Sequence, residues 1–144
     1  MDILNLKTSG DIEFAREVIL QFRTNVDSNY LVEQVSEMIK NEKFQLACIP
    51  TDDGKKAAAF VGFRVMDMLR TGKIIYIDDL FTLSEYRGRG YAAELLDYVD
   101  QVAKENDIKS VHLDSGFTLH TAHKLYLTKG YILGCHHFVK TLKI

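Results

Sequence analysis

Apolar and polar positions recur with two different periods along this chain, and the switches between them divide it into ten elements. Ile3, Leu4 and Leu6 give a short first strand. Thr8 and Ser9 before Asp11 read as a helix start with an acid in the first turn. Ile12, Phe14, Ala15, Val18, Ile19 and Phe22 then fill one helical stripe, which Asp27-Ser28-Asn29 ends. Leu31, Val35, Met38 and Ile39 define a second helix that stops near Asn41. Residues 44–49 read as a strand, and 50–55 as a turn centred on Asp53-Gly54, a good hairpin signal. The return strand covers 57–68. Its run from Ala57 to Phe63 is apolar on both faces, which places it in a central, covered position. Thr71-Gly72-Lys73 turns the chain into a β-branched strand, Ile74 to Ile77 and onward to Thr82.

Ala92, Leu95, Leu96, Val99, Val102 and Ala103 recur at helical spacing and predict a third helix over 91–105. A polar link, 104–109, leads to a short strand at 110–114. A strand, crossover helix and strand in this order make the two strands parallel. A fourth helix is predicted over 118–129, with Gly130 where a left-handed C-terminal residue belongs. A long strand over 131–142, including Tyr131, Leu133, His137 and Val139, closes the chain. The order is β, α, α, β, β, β, α, β, α, β, without a repeat, a low-complexity segment or a linker. One domain over residues 1–144 is expected.

Composition narrows this picture only slightly. The 47% hydrophobic and 26% charged fractions are those of an ordinary soluble protein. A net charge of −2 without blocks of like charge gives no reason to expect a nucleic-acid or anionic-membrane partner. Cys48 and Cys135 form no C-x-x-C and lie in apolar, strand-like runs, so buried free thiols are expected. The first residues show no basic region followed by an apolar core, and the longest apolar run is far short of a membrane span. A cytoplasmic protein is expected.

The chemistry concentrates in the loop between the β-branched strand and the third helix, Arg87-Gly88-Arg89-Gly90-Tyr91-Ala92. A helix start leaves about four backbone N–H groups without partners and carries roughly half a positive charge. Glycines there let the backbone approach an anion closely. The hexapeptide fits the R/Q-x-x-G-x-G/A signature and resembles that of the GNAT superfamily of acyl-CoA-dependent N-acyltransferases, whose order of elements this chain also follows. The resemblance implies an α/β (α+β) GNAT fold. Its mixed central sheet would have about six to seven strands, with about four helices and a parallel pair that splays apart at the cofactor site. It implies that Arg87, Gly88, Arg89, Gly90, Tyr91 and Ala92 bind the pyrophosphate of acetyl-CoA. The backbone of Leu80, Phe81 and Thr82 would bind the pantetheine arm and the thioester carbonyl. The competing reading is an ordinary surface loop with two solvated arginines.

Asp78 and Asp79 interrupt the apolar strand, and two acids there are costly unless exposed or paired. Strand alternation puts them on opposite faces. They resemble the Glu-Asp pair of polyamine-type GNAT enzymes, in which the first acid acts as base, often through a water. By that resemblance Asp78 is the base candidate. An Asp reaches one methylene less than a Glu, which favours a water relay or an electrostatic role. The alternative is that the acids cap a bulge or pair with a Lys or Arg. Ala122-His123-Lys124-Leu125-Tyr126-Leu127-Thr128-Lys129-Gly130-Tyr131 resembles the family's A-x-x-[LF]-Y-x-x-x-G-[FY] segment, which implies that Tyr126 is the general acid for the departing thiolate. Otherwise Tyr126 is a core residue of its helix. Leu119 stands where the family often has an Asn that contacts the pantetheine, and Ser115 or His120 could supply that contact.

His120, His123, His136 and His137 complete no recognised metal spacing, so no metal is expected, and one or two of them are expected to line the acceptor cleft. The whole reads as an N-acetyltransferase that moves an acetyl group from acetyl-CoA to a primary amine by direct attack. The acceptor would be a small cationic amine or a protein amine, and the resemblance allows a homodimer. Two rivals differ in class: a catalytically inactive acyl-CoA-binding sensor module, and a His-based metal-binding domain with a fortuitous loop.

Overall fold

The computed structural model describes residues 2–144, which divide into two compact units, the chain up to Leu113 and Asp114–Ile144. The first unit holds the sheet. Its strands are β1 (Leu4–Leu6), β2 (Phe44–Pro50), β3 (Ala57–Met68), β4 (Gly72–Thr82) and β5 (Val111–Leu113), in that spatial order. β1 to β4 run antiparallel, each beside the next, and β4 and β5 are parallel. The helices of this unit are α1 (Ser9–Phe14), α2 (Arg16–Phe22), α3 (Leu31–Asn41) and α4 (Tyr91–Glu105).

Local chemistry sets most of these boundaries. Thr8 caps α1 in a capping box: its Oγ1 accepts from the Asp11 N–H at 3.2 Å, and Asp11 Oδ2 accepts from the Thr8 N–H at 3.0 Å. The Lys7 and Thr8 amides hold the Asp11 carboxyl below the ordinary carboxylate range. The stripe predicted as one helix is two, joined at Ala15, whose N–H bonds to Ile12 O in a tightened turn. The apolar stripe runs across this join without a break, so periodicity does not register it. Gly54 takes φ +69° in the predicted hairpin turn, which Thr51 N–H closes onto Lys56 O at 2.8 Å.

The sheet is covered on both faces, as the apolar run of β3 requires. Phe60 meets Phe22 of α2 edge-on, and Phe63 meets Tyr98 of α4 in the same way. Ile12, Val18, Leu31, Phe44, Leu46 and Phe60 belong to the core under α1, α2 and α3. Leu95, Leu96 and Val99 of α4 are fully buried. Cys48 lies within the core, and burial pushes its thiol up to about 12. No helix among the described residues is long and apolar enough to cross a membrane.

The second unit contains α5 (His120–Thr128), shorter at both ends than predicted. Gly130 ends it at φ +94°, with Tyr131 N–H bonded back to Tyr126 O at 3.0 Å. The long strand expected over 131–142 does not form, so the sheet has five strands among the described residues, not six or seven, and the helices number five. Alternation identifies residues that could face a sheet, but a strand exists only by pairing, and residues 131–142 pair with no strand among the described residues. Ile132, Leu133, Phe138 and Val139 are exposed, as is Cys135.

One glycine of the sheet is fixed by close packing. A Cβ on Gly62 would lie 2.4 Å from Phe44 Cζ and 3.1 Å from Asp79 Oδ2. Gly62→Ala must displace the buried Phe44 ring, and we expect it to cost about 1–3 kcal/mol in urea unfolding.

Candidate active site

The sheet opens at the end of β4. β5 pairs with β4 only at Ile75, Tyr76 and Ile77. Beyond Ile77 the opposite edge stays paired, with Gly62 facing Asp79, Val61 facing Leu80, Phe60 facing Phe81 and Ala59 facing Thr82. No strand pairs with the other edge of residues 78–82 among the described residues. Backbone groups along such an edge can receive an extended ligand as a further strand would be received. Leu80, Phe81 and Thr82 are half-buried there. Phe81 stacks on Phe22 with ring centroids 4.8 Å apart.

The loop that follows returns to this edge. Leu83 N–H bonds to Ala58 O at 2.8 Å, a single 3₁₀ turn covers Ser84–Tyr86, and Arg87 Nε donates to Thr82 O at 3.1 Å. The Arg87 guanidinium lies 5.2 Å from the Phe81 ring centroid. Gly88 and Gly90 take φ of +80° and +83°, and a Cβ at either would meet nothing within 4 Å. Gly90 is the N-cap of α4 and offers no side chain to the first-turn amides, while the helix begins its own bonding with Glu94 N–H to Gly90 O. The first turn of α4, with its positive dipole end, thus carries no side-chain cap from its N-cap residue. Arg89 Nη1 bonds both Asp52 carboxylate oxygens at 3.0 Å, and the guanidinium rests 4.5 Å from the Tyr86 ring centroid.

The two acids of β4 do not follow simple alternation. The β3–β4 register shifts between Gly62 and Phe63, which leaves Asp78 as the extra residue of a β-bulge. Gly62 faces Asp79, and Arg64, two residues further on and so on the same face of β3, takes Asp78. Both acids pair with arginine. Arg64 forks onto Asp78, Nε to Oδ1 at 3.0 Å and Nη2 to Oδ2 at 2.8 Å, and its Nη1 reaches Glu42 at 3.1 Å. Arg23, just past α2, donates Nε to Asp79 Oδ1 at 2.6 Å and Nη2 to the Asp78 carbonyl at 2.8 Å. Burial pushes the Asp78 carboxyl above the ordinary range, against the pull of Arg64.

Asp78, Asp79, Leu80–Thr82 and the loop all belong to the first unit. Tyr126 lies on α5 of the second. Burial raises its hydroxyl above the usual range, and its ring meets Tyr131 with centroids 5.8 Å apart. In the same unit His120 and His123 meet edge-on, and His137 Nδ1 lies 3.5 Å from Asp114 Oδ1. No group of three His, Cys, Asp or Glu side chains is placed to hold a metal among the described residues. Arg23, Arg64 and Gly62 are absent from the sequence reading. Arg64 had a signal, as the first charge after a long apolar run, in a strand next to one carrying two acids. Arg23 had none, because its position depends on how the chain leaves α2.

The Arg64–Asp78 pair has a consequence for stability. Arg64→Ala strands a largely buried carboxylate, and we expect a loss of about 3 kcal/mol at neutral pH. Without Arg64 the Asp78 pKa rises further, so the acid becomes neutral as pH falls and the defect shrinks. Urea unfolding of both proteins at pH 7 and pH 5 measures this convergence.

The model of the Acetyltransferase (GNAT) family matches residues 13–131. An uncharacterized N-acetyltransferase, YhdJ of Bacillus subtilis (strain 168), is 26% identical over 112 residues, 78% of each chain. Among solved structures, a ribosomal-protein-alanine N-acetyltransferase from Brucella melitensis biovar Abortus 2308 superposes with a TM-score of 0.81 at 17% identity, covering 99% of this chain and 100% of that one. AAC(6')-Iy in complex with a bisubstrate analog, CoA-S-monomethyl-acetylneamine, gives 0.83 at 14% identity, covering 99% and 98%. Structural likeness at such identities speaks for the fold, and the family match across 13–131 carries the assignment: this chain belongs to the GNAT acetyltransferase family.

Proposed function

We propose that this chain, acting as one domain over 1–144, transfers an acetyl group from acetyl-CoA to a primary amine by direct attack. The observation that carries the reading is the unpaired edge of residues 78–82 beside a helix start that two left-handed glycines leave uncovered. The residues fit the cofactor: α4 begins with uncapped amides, and the space a Cβ would fill at Gly88 and Gly90 is open. Bound acetyl-CoA supplies the activated acyl group, and the overall exchange makes one C–N bond, breaks one C–S bond and releases one proton.

In this reading the amides of residues 88–92 hold the pyrophosphate, and Arg87 and Arg89 add charge. The backbone of Leu80, Phe81 and Thr82 holds the pantetheine arm, and an N–H there stabilises charge that develops on the acyl oxygen. An alkylammonium, with a pKa near 10.4, must lose a proton before it attacks. Asp78, committed to both nitrogens of the Arg64 fork, acts through its charge. Among the described residues Asp79 Oδ2 accepts no hydrogen bond, and Asp79 is the acid suited to receive the amine, with water carrying the proton away. Tyr126 Oη, whose raised pKa keeps it protonated, delivers the proton that the departing sulfur takes.

Release of free thiol from acetyl-CoA across a panel of primary amines tests the reaction. Tight binding without release for any amine would instead identify an inactive acyl-CoA-binding module. Arg87→Glu places a negative charge at the phosphate loop, and we expect it to weaken coenzyme A binding by at least about tenfold in calorimetry. Tyr126→Phe should slow turnover with little change in that affinity.

A further inference from the structure

The first unit contains a cavity of about 210 Å³ between α2, α3 and the sheet. Its walls are mostly apolar, including Ile19, Leu31, Val35, Met38, Phe44 and Phe60. The two charged residues of its lining are Arg23 and Asp79. An apolar chamber that holds one cation and one anion 2.6 Å apart is the complement of a small zwitterion with an apolar body.

The charges are only partly satisfied by each other. The Asp79 side chain is 15% exposed, and only its Oδ1 accepts from Arg23. Its Oδ2 lies on the Gly62 side, 3.1 Å from where a Cβ on Gly62 would stand. Arg23 uses Nε on Asp79 and Nη2 on the Asp78 carbonyl, which leaves Nη1 without an acceptor among the described residues, and the side chain is 42% exposed. Phe22 fixes the guanidinium from below, with its ring centroid 4.1 Å from Arg23 Cζ. A guanidinium held in this way still offers outward donors to a carboxylate. A carboxylate oxygen next to it offers an acceptor to an ammonium. In an α-amino acid the ammonium nitrogen and the carboxyl carbon sit on one Cα, so the two charges lie side by side as those of Arg23 and Asp79 do.

Size limits the rest. A chamber of 210 Å³ falls below the roughly 300–1,000 Å³ of sites for drug-sized ligands, and suits one apolar side chain. A long polyamine would find a single carboxylate beside a competing arginine, and its remaining charges would meet apolar walls.

Resting on the acetyltransferase reading, we propose that the acceptor is a free α-amino acid with an apolar side chain. Its carboxylate pairs with Arg23, its amine with Asp79, and its side chain enters the chamber under α3. The amine then lies at Asp79, the residue next to Leu80 on the unpaired edge of β4.

Binding is measured first, by calorimetry on the full chain without cofactor. L-leucine, L-methionine and L-phenylalanine are compared with isoamylamine and phenethylamine, which lack the carboxylate, and with spermidine. We expect the amino acids to bind at least about tenfold more tightly than their matched amines, and Arg23→Gln to remove that advantage. Arg23→Lys, which keeps the charge but not the fork, should retain part of it, and thermal melts show that each variant is folded. Equal binding of amine and amino acid, preference for spermidine, or an unchanged ratio in folded Arg23→Gln overturns the proposal. Coenzyme A binding by the same preparation separates the two readings. If coenzyme A binds and the amino acids show no advantage, this proposal alone fails. If coenzyme A does not bind, the acetyltransferase reading fails whatever the amino acids do.

Discussion

Two carboxylates in the middle of a sheet must be neutralised, and the way this chain does so organises its functional half. Arg64 reaches Asp78 from the neighbouring strand, and Arg23 reaches Asp79 from the end of a helix. The Arg23 contact joins a helix end to a strand that backbone bonding leaves separate from it, and the Arg64 contact spans the β3–β4 pair at its bulge. Arg64 also takes Glu42, the residue that ends α3, so one guanidinium ties a helix terminus to two strands. A lone carboxylate in this environment would be costly, whereas a forked pair with further hydrogen bonds is tolerated. The acids therefore stay in the strand, and the strand carries charge to the point where the sheet opens.

The opening has its own logic. A bulge adds twist and bends the strand that contains it. Here it falls at Asp78, one residue after the last pairing with β5. The three-residue β5 cannot follow β4 further. The loop after β4 then turns back, with Arg87 on the Thr82 carbonyl, so the free edge and the uncapped start of α4 are held next to each other by a side chain of the loop itself.

Much of this was legible in the sequence, and the failures have identifiable physical causes. Periodicity found nine of the ten expected elements, because burial on one face or two is written directly into residue order. The glycines of the loop were legible because φ near +80° is open to few other residues. The closing strand was misread because alternation describes a strand's faces and not its neighbour. The placement of the two acids stayed open between plain alternation and a bulge with Lys or Arg partners, because one extra residue reverses every later orientation, and nothing in the order of residues marks where the extra one falls. Arg23 was invisible for a further reason: its partner is 56 positions away, and only the packed fold brings them together.

The two cysteines end up in opposite circumstances. Cys48 lies inside the core with its thiol pushed up to about 12, and a thiol in that state offers almost no thiolate at neutral pH. Cys135 is open to solvent. An alkylating dye added to the native chain thus has one address, in the segment that follows α5, and can report on that segment without any engineered substitution.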